Sequence, residues 1–208
     1  MPKYITEFIG TFFLVFTVAA AGVGSWAPID FAPLAIGSVL MVMIFAGGHI
    51  SGGHYNPAVS MAVFVRGKMS AGDMITYWVV QLAAGVVAAL LASSLLGIKA
   101  AAPIPFDMTK VVIAESLFTF ALTFVVLNVA TAKGTEGNSF YGLAIGFTVL
   151  AGAYAVGSVS GGVFNPAVGT GVTLLGLLDW TMLGIYAVTQ LVAGAVAGVI
   201  FRVSHPGE

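Results

Sequence analysis

Two stretches of the chain share one phrase, SGGHYNPAVS at residues 51–60 and SGGVFNPAVG at residues 160–169. Each contains Gly-Gly, two variable residues and then Asn-Pro-Ala-Val, and each is surrounded by apolar sequence. Asn followed by Pro is typical of a helix start, because Asn caps the first turn and Pro fits the first helical position. The phrase therefore predicts a glycine-rich loop followed by a helix at two places in the chain.

The composition indicates a membrane protein. Of the 208 residues, 59% are hydrophobic and only 7% are charged, and the mean hydropathy is +1.06. An ordinary soluble domain carries about 25% charged residues, so this chain cannot cover a surface that faces water. The chain has no cysteine, and at a net charge of −1 it has no basic run that would indicate a nucleic-acid partner. We expect a lipid bilayer to surround it.

Six apolar stretches are long enough to cross a bilayer, which takes about 20 helical residues. They cover residues 4–25, 31–48, 73–96, 110–131, 140–157 and 180–202. Two shorter apolar stretches, 57–66 and 166–175, begin directly after the two Asn residues. About ten residues at ~1.5 Å each extend ~15 Å, which is half of a membrane. These two stretches are predicted to be half-helices that enter the bilayer without crossing it.

The first stretch has an alternative interpretation as a secretory signal, because Lys3 precedes it. Its apolar run is longer than that of a typical signal, and it has a counterpart later in the chain. We therefore interpret it as a membrane span.

The shared phrase belongs to a longer duplication. Asn56 and Asn165 lie 109 residues apart, and so do Gln81 and Gln190, which open the similar runs QLAAGVVAAL and QLVAGAVAGV. Self-similarity at a fixed distance indicates two copies of one structural unit. Each copy contains three spans and one half-helix.

The duplication predicts a single domain, 1–208, built from two repeats, 1–100 and 101–208. Because three spans is an odd number, the second repeat enters the bilayer from the opposite side. Inverted repeats place their functional site at the midplane, where broken helices of the two halves meet.

The basic residues indicate how the chain is oriented. If the N-terminus lies inside, five basic residues face the cytoplasm and two face outside, as the positive-inside rule requires. The first group is Lys3, Arg66, Lys68, Lys133 and Arg202, and the second is Lys99 and Lys110.

The glycine-rich loops predict a polar path through the bilayer. Backbone that is not helical is tolerated at membrane depth only inside protein or along a water-filled cavity. The N-terminal end of a half-helix carries roughly half a positive charge, and an Asn side chain adds amide donors. Two such ends at one point would offer hydrogen bonds to neutral hydroxylated molecules, repel cations and interrupt a proton-conducting chain of water.

Two Asn-Pro-Ala half-helices in a six-span inverted repeat, together with the string GHISGGHYNPAV, resemble the major intrinsic protein family of aquaporins and aquaglyceroporins. The resemblance covers nearly the whole chain. It implies an all-α membrane protein, a right-handed bundle of six transmembrane helices and two re-entrant half-helices, with one pore in each subunit of a homotetramer. It implies a passive channel for water and small neutral solutes, without enzymatic activity or a cofactor. For this chain we expect a bacterial inner membrane with both termini in the cytoplasm.

The resemblance also assigns the pore residues. The two central motifs are Asn56, Pro57, Ala58, Asn165, Pro166 and Ala167. The backbone carbonyls expected along the two vestibules are those of Gly52, Gly53 and His54 and those of Gly161, Gly162 and Val163.

Four polar residues inside the spans are duplicated as well, namely Glu7 with Glu115 and Gln81 with Gln190. An ionisable group inside the bilayer is functional by default, and a proton relay is one interpretation. The duplication and the family resemblance favour another, in which each carboxylate accepts hydrogen bonds from the glycine-rich loop and each Gln binds the same loop.

One departure from the family pattern bears on the solute. Most members carry Arg directly after the second Asn-Pro-Ala, and that Arg narrows and charges the outer constriction; this chain has Val168. By resemblance, the other filter positions are Ile36, Ala153 and Gly162. Water-selective members have Phe and His at the first two of these, and glycerol channels have Trp and Phe. The quartet of this chain therefore predicts a wide, apolar constriction.

The aliphatic residue in place of Arg is similar to that of bacterial aquaglyceroporins found with arsenic-resistance genes, which pass neutral metalloid hydroxides such as arsenite. We expect glycerol, urea and such hydroxides as solutes. One alternative is that a side chain of the 97–107 connection fills the space left by Arg. A water-selective aquaporin is the alternative function.

Three other classes of function remain as rivals. An ion-coupled secondary transporter would need more ionisable groups than one Glu per half. An intramembrane enzyme would need a nucleophile with a base, or a metal site, and His49 and His54 lack a third ligand at a suitable spacing. A purely structural junction protein would show no permeability.

Overall fold

The computed structural model describes residues 1–23, 31–98 and 103–208, and these residues form helices joined by loops, with no strand among them. Residues 26–30, which connect the first two predicted spans, lie outside the described residues. Residues 99–102 of the predicted 97–107 connection also lie outside them. The architecture is all-α, as the sequence predicted.

Six helices are long and apolar enough to cross a bilayer, which agrees with the six predicted spans within a few residues. They are α1 (Pro2–Thr17), α2 (Ala32–Ser51), α4 (Ala71–Leu96), α5 (Met108–Thr131), α6 (Tyr141–Ser160) and α8 (Trp180–Ser204). Wider, π-type turns at Val18–Val23 continue α1.

Two short helices follow the repeated phrase, α3 (Pro57–Arg66) and α7 (Pro166–Leu174). Their lengths, 10 and 9 residues, correspond to about half of a ~30 Å hydrocarbon core. Both begin as the sequence predicted, with Asn at the N-cap and Pro at the first helical position.

The ends of α2 and α6 correct one prediction. The sequence predicted that these two spans end at residues 48 and 157, with non-helical backbone from there on, whereas the two helices continue to Ser51 and Ser160. The helices end only where Gly52 and Gly161 adopt the left-handed conformation, at φ 89° and 79°. Glycine enters that region without steric cost and is the usual residue at this position. The predicted ends were therefore three residues short.

Each half-helix packs against a long helix of the other half of the chain. α3 contacts α8, and α7 contacts α4. Both contacts use a glycine, because a Cβ atom at Gly194 would lie 2.4 Å from the carbonyl oxygen of Ala58, and one at Gly85 would lie 2.7 Å from that of Ala167. The two halves are thereby interlocked around the two Asn-Pro-Ala motifs.

Candidate functional site

The two Asn residues of the repeated phrase hold the two loops together. The side-chain nitrogen of Asn56 donates to the carbonyl oxygen of Phe164 at 2.9 Å. The side-chain nitrogen of Asn165 donates to the carbonyl oxygen of Tyr55, also at 2.9 Å. Each Asn therefore binds the residue that precedes the other, and the two half-helix starts are fixed beside each other.

The side-chain oxygens of the same residues cap the half-helices. Asn56 Oδ1 accepts from the backbone N–H of Ala58 at 2.8 Å, and Asn165 Oδ1 accepts from that of Ala167 at 2.9 Å. An Asn amide nitrogen carries two hydrogens, and the bond across the loops uses one of them. One donor per Asn remains for a molecule in the space beside them.

Tyr55 and Phe164, whose carbonyls accept these bonds, have an unusual backbone conformation. Their φ angles are 48° and 47°, in the left-handed region that residues with a side chain seldom enter. Such a conformation costs about 1–3 kcal/mol and persists where the surroundings hold it. Here both side chains are buried at 1% exposure. In this conformation the carbonyl of each residue accepts from the Asn side chain of the other half.

Glu7 holds the first loop from behind. Its carboxylate accepts from the Ser51 hydroxyl at 2.7 Å and from Gln81 Nε2 at 2.9 Å. It also accepts from the backbone N–H groups of His54 at 2.9 Å and Tyr55 at 2.7 Å. Three of the donors lie in the non-helical segment that leads to α3 or at Ser51 before it, whereas Gln81, which the sequence predicted to bind the loop itself, donates to Glu7 instead.

Glu115 holds the second loop with four equivalent hydrogen bonds. Its carboxylate accepts from the Ser160 hydroxyl and from Gln190 Nε2, both at 2.7 Å. The backbone N–H groups of Val163 and Phe164 donate to it at 3.1 and 2.7 Å. Both Glu residues are fully buried, and four donors each compensate the loss of water around a carboxylate.

A narrow cavity of about 80 Å³ lies beside the two Asn residues, and both line it. A water molecule needs about 10–15 Å³ measured in this way, so the cavity has room for a short file of waters. The side chains that complete the lining are almost all aliphatic, among them Leu40, Val59 and Val149. The free Asn donors are therefore the polar groups of a mostly apolar passage.

Two wider vestibules adjoin this cavity from opposite ends. The first, which we call the Lys68 vestibule, has a volume of about 370 Å³ and shares His54 and Val126 with the cavity. The second, the Phe106 vestibule, has about 540 Å³ and shares Ile36 and Ala153 with it. The shared lining residues place the three spaces in a row, with the Asn pair in the narrow central cavity.

Comparison with known proteins identifies the family. The family model of the major intrinsic proteins matches residues 1–201. Glycerol uptake facilitator protein-like 6 of Lactiplantibacillus plantarum is 36% identical over 176 residues, which are 80% of this chain and 81% of that protein. The chain belongs to the major intrinsic protein family. It is a membrane channel and not an enzyme.

Two further comparisons agree with this family membership. A probable aquaporin of Oryza sativa subsp. japonica is 35% identical over 223 residues, 97% of this chain and 86% of that protein. The X-ray structure of the aquaglyceroporin from Plasmodium falciparum superimposes with a TM-score of 0.76 at 23% identity, and covers 96% of this chain and 93% of that one. This structural likeness supports the major intrinsic protein fold.

The four positions predicted to form the filter of this major intrinsic protein line one cavity. Ile36 and Ala153 line both the central cavity and the Phe106 vestibule, so they lie where the two spaces join. Gly162 and Val168 line the central cavity. Gly162 lies directly against α6, since a Cβ atom there would be 3.2 Å from the Cα of Ala153. Val168 is 5% exposed and belongs to the apolar core.

The loop residues assigned to the vestibules are distributed as follows. Gly52 lines the Lys68 vestibule, while Gly161 and Val163 line both the central cavity and the Phe106 vestibule. Gly53 packs against α2, where a Cβ atom would lie 3.3 Å from the Cα of Gly48. The glycine-rich loops therefore border the path on both sides of the Asn pair.

His54 is the main difference between the two loops. Its Nδ1 lies 3.0 Å from the hydroxyl oxygen of Ser60, and its ring packs edge-on against Tyr77. In the second half, Val163 and Gly169 stand at the corresponding positions. Within the described ranges, no group of three or more His, Cys, Asp or Glu side chains could hold a metal.

Sequence reasoning missed two tyrosines that hold the loops. The Tyr77 hydroxyl donates to the carbonyl oxygen of Ser51 at 2.8 Å, and the Tyr186 hydroxyl donates to that of Ser160 at 2.7 Å. The signal was present, because Tyr77 and Tyr186 lie 109 residues apart, as the two Asn residues do. A search for all residues repeated at that distance would have found them.

Sequence reasoning also missed the surroundings of Arg66, which it used only to assign orientation. This guanidinium, at the end of α3, is buried and donates to the hydroxyl and the carbonyl of Thr131. It also pairs with the Glu208 carboxylate at 3.0 Å and lies over the ring of Phe201. No short-range pattern connects Arg66 with residues so distant in the chain.

Proposed function

We propose that this channel passes small neutral solutes, namely glycerol, urea and neutral metalloid hydroxides such as arsenite, together with water. The observation that carries the proposal is the composition of the four filter positions. Ile36, Ala153, Gly162 and Val168 line one cavity and contribute neither a charge nor an aromatic ring. A guanidinium would offer five donors in a rigid fork and a permanent charge. A valine at that position leaves the space of a guanidinium unfilled and adds no positive charge to the constriction.

Neutral solutes are favoured by the middle of the path. Two half-helix N-termini, each worth roughly half a positive charge, meet at the Asn pair and repel cations. The Asn donors offer hydrogen bonds to hydroxyl or carbonyl oxygens. Glu7 and Glu115 stabilise the loops in this proposal and do not relay protons, because the four donors around each carboxylate belong to the loop and to the residues that support it.

The similar proteins include both one named for glycerol uptake and one named an aquaporin. Among the similar proteins is one named a glycerol uptake facilitator-like protein, and its identity of 36% is comparable to the 35% of a probable aquaporin. A water-selective aquaporin is the second candidate, and the Asn pair beside a narrow cavity supports it.

We propose further that the chain is one channel domain, 1–208, of two inverted repeats, 1–100 and 101–208, and that it forms a homotetramer with one pore per subunit. In this arrangement both termini and the Lys68 vestibule face the cytoplasm of a bacterial cell, and the Phe106 vestibule faces outward. The excess of basic residues on the first side supports this orientation.

Stopped-flow light scattering of proteoliposomes tests the solute range. Vesicles with and without the protein are exposed to an osmotic gradient, which measures water permeability, and to gradients of glycerol, urea and arsenite. We expect all four permeabilities to rise above those of empty vesicles, and the rise should not depend on a proton gradient. Water permeability alone would favour the aquaporin alternative, and accumulation driven by a proton gradient would contradict the channel mechanism.

A further inference from the structure

Among the described residues, Phe106 is one of two aromatic residues that line the Phe106 vestibule, whereas the four predicted filter positions carry neither an aromatic nor a charged side chain. We propose that Phe106 is a fifth specificity-determining residue, which forms one wall of the passage where the Phe106 vestibule joins the central cavity and limits the size of the solute. This inference rests on the proposed function, because a size limit matters only for solutes larger than water.

The ring of Phe106 lies against the second glycine-rich loop. Its tip is 3.7 Å from the point where a Cβ atom on Gly161 would lie. Gly161 lines both the central cavity and the Phe106 vestibule, so the ring is at the junction of the two spaces. Ile36 and Ala153 line the same junction. The passage at this level is therefore bounded by two aliphatic filter residues and by the ring of Phe106.

The backbone on both sides of Phe106 is fixed. The N–H of Ile104 donates to the carbonyl oxygen of Leu177 at 3.0 Å, and the N–H of Phe106 donates to that of Ile104 at 2.9 Å. The next residue, Asp107, caps α5 by accepting from the N–H of Lys110. The ring is half-buried and packs against the main apolar core. A ring held in this way can act as a wall.

A purely structural role for Phe106 is the competing explanation. An apolar residue directly before an N-cap often packs against the first turns of the helix and fixes the entry of the chain. Phe106 stands in that position relative to α5, and Val111 on the first turns is buried. Both roles predict some loss of stability when the ring is removed. Only the proposed role of Phe106 as a wall of the passage predicts a change in how permeability depends on solute size.

The first experiment compares polyols of increasing length, from glycerol to erythritol and xylitol, in proteoliposomes with Phe106→Ala, Phe106→Leu and wild type. We expect the erythritol-to-water permeability ratio to rise about tenfold in Phe106→Ala, the lower end of what a misfit of one methylene is worth in an apolar site. Phe106→Leu should be intermediate. Phe31→Ala is the matched control, because Phe31 is 58% exposed, precedes α2 and does not line the vestibule.

The outcomes separate this inference from the proposed function. An unchanged ratio in correctly folded Phe106→Ala would overturn the inference and leave the solute range of the wild type as measured. A wild type that passes only water would contradict the proposed function. A gain of glycerol permeability in Phe106→Ala would even then support the wall.

A second experiment does not depend on the stability of the alanine variant. The chain has no cysteine, so Phe106→Cys places a single thiol in the vestibule, and Phe31→Cys serves as the control. A cationic methanethiosulfonate is added on both sides of the membrane. We expect labelling of Phe106→Cys to reduce glycerol flux, with recovery after reduction by dithiothreitol, and labelling of Phe31→Cys to leave the flux unchanged. Complete labelling of Phe106→Cys without loss of flux, or no labelling at all, would contradict the wall.

Discussion

Asn56 and Asn165 are joined by a reciprocal pair of hydrogen bonds, in which each side-chain amide donates at 2.9 Å to the carbonyl that precedes the other Asn. The same two side chains cap α3 and α7 through their oxygens. One amide group in each half therefore fixes the position of the opposite loop, caps the start of its own half-helix and supplies the remaining free donor. A change of this group alters the electrostatic potential and the loop contact together.

Asn56→Asp and Asn165→Asp are expected to make the channel permeable to cations. A carboxylate cannot donate to the facing carbonyl, and its charge offsets the positive ends of both half-helices. A charge at the bilayer centre costs at least ~2.5–3.5 kcal/mol, so some stability should be lost as well. The measurement is K⁺ flux into proteoliposomes, with Asn128→Asp as the control because the Asn128 side chain donates to the carbonyl of Phe124 within α5, away from the Asn pair. Folded variants that exclude K⁺ as the wild type does would show that the cation barrier lies elsewhere.

Glu7→Gln is expected to destabilise the protein less than Glu7→Ala. Alanine removes the acceptor of four donors, and each buried donor left unpaired costs about 1–3 kcal/mol. Glutamine retains one acceptor oxygen, and Gln81, whose Oε1 has no partner among the described residues, can reverse its amide to accept from it. Thermal unfolding in detergent measures the difference. Equal losses from both substitutions would contradict the bracing role of Glu7.

Glu115 provides the corresponding test of the proton-relay alternative. We expect Glu115→Gln to leave solute flux independent of an imposed proton gradient, as in the wild type. A wild type that accumulates solute with the gradient, and a variant that does not, would instead favour a coupled transporter.

Tyr77→Phe and Tyr186→Phe are expected to lower the unfolding free energy by about 1 kcal/mol each, the usual net value of one hydrogen bond. Each substitution removes only the hydroxyl that donates to the carbonyl before a glycine-rich loop. The two sites belong to different halves of the chain, so the losses in the double variant should add. Tyr141→Phe, at a residue whose ring packs edge-on against Phe45, is the control for removal of a tyrosine hydroxyl elsewhere in the bundle. A loss no larger than that of the control would mean that these tyrosines do not hold the loops.

Arg66→Lys is expected to destabilise the protein although the charge is retained. A lysine cannot reproduce the fork that reaches Thr131 and Glu208 together, nor the stacking on Phe201. Breaking a buried ion pair costs on the order of 3 kcal/mol, and the substitution should lose part of this. Arg202→Lys, at an exposed position on α8, is the control. A melting temperature equal to that of Arg202→Lys would show that the Arg66 contacts contribute nothing to stability.

The sequence predicted the parts of this channel that depend on local chemistry. The six spans follow from apolar length, and the starts of α3 and α7 follow from Asn-Pro at residues 56–57 and 165–166. The ends of α2 and α6 were predicted too early because an apolar sequence does not show at which glycine a helix terminates. The pairing of Arg66 with Glu208 depends on packing between distant segments, which no local pattern encodes, whereas Tyr77 and Tyr186 repeat at 109 residues and could have been found from the duplication. Phe106 was covered only by the general expectation that the 97–107 connection could fill the space left by Arg.

Val168 is the residue on which the proposed solute range depends most. It lines the central cavity, and by the family resemblance it stands where most members carry Arg. Val168→Arg would add five donors and a permanent charge to a cavity bordered by Ile36, Ala153 and Gly162. The aliphatic stem of the new side chain can follow the cavity wall while its charged end extends into the Phe106 vestibule. Val59→Ile, at the corresponding position of the first half, controls for added volume without charge.

The most direct test is therefore the ratio of glycerol to water permeability, measured by stopped-flow light scattering on matched proteoliposomes of wild type and Val168→Arg. We predict that the ratio falls strongly in Val168→Arg, with urea and arsenite fluxes falling alongside that of glycerol while much of the water flux remains. Val59→Ile should change the ratio far less. An unchanged ratio in correctly folded Val168→Arg would mean that Val168 does not border the constriction, and it would contradict the proposed wide, apolar filter.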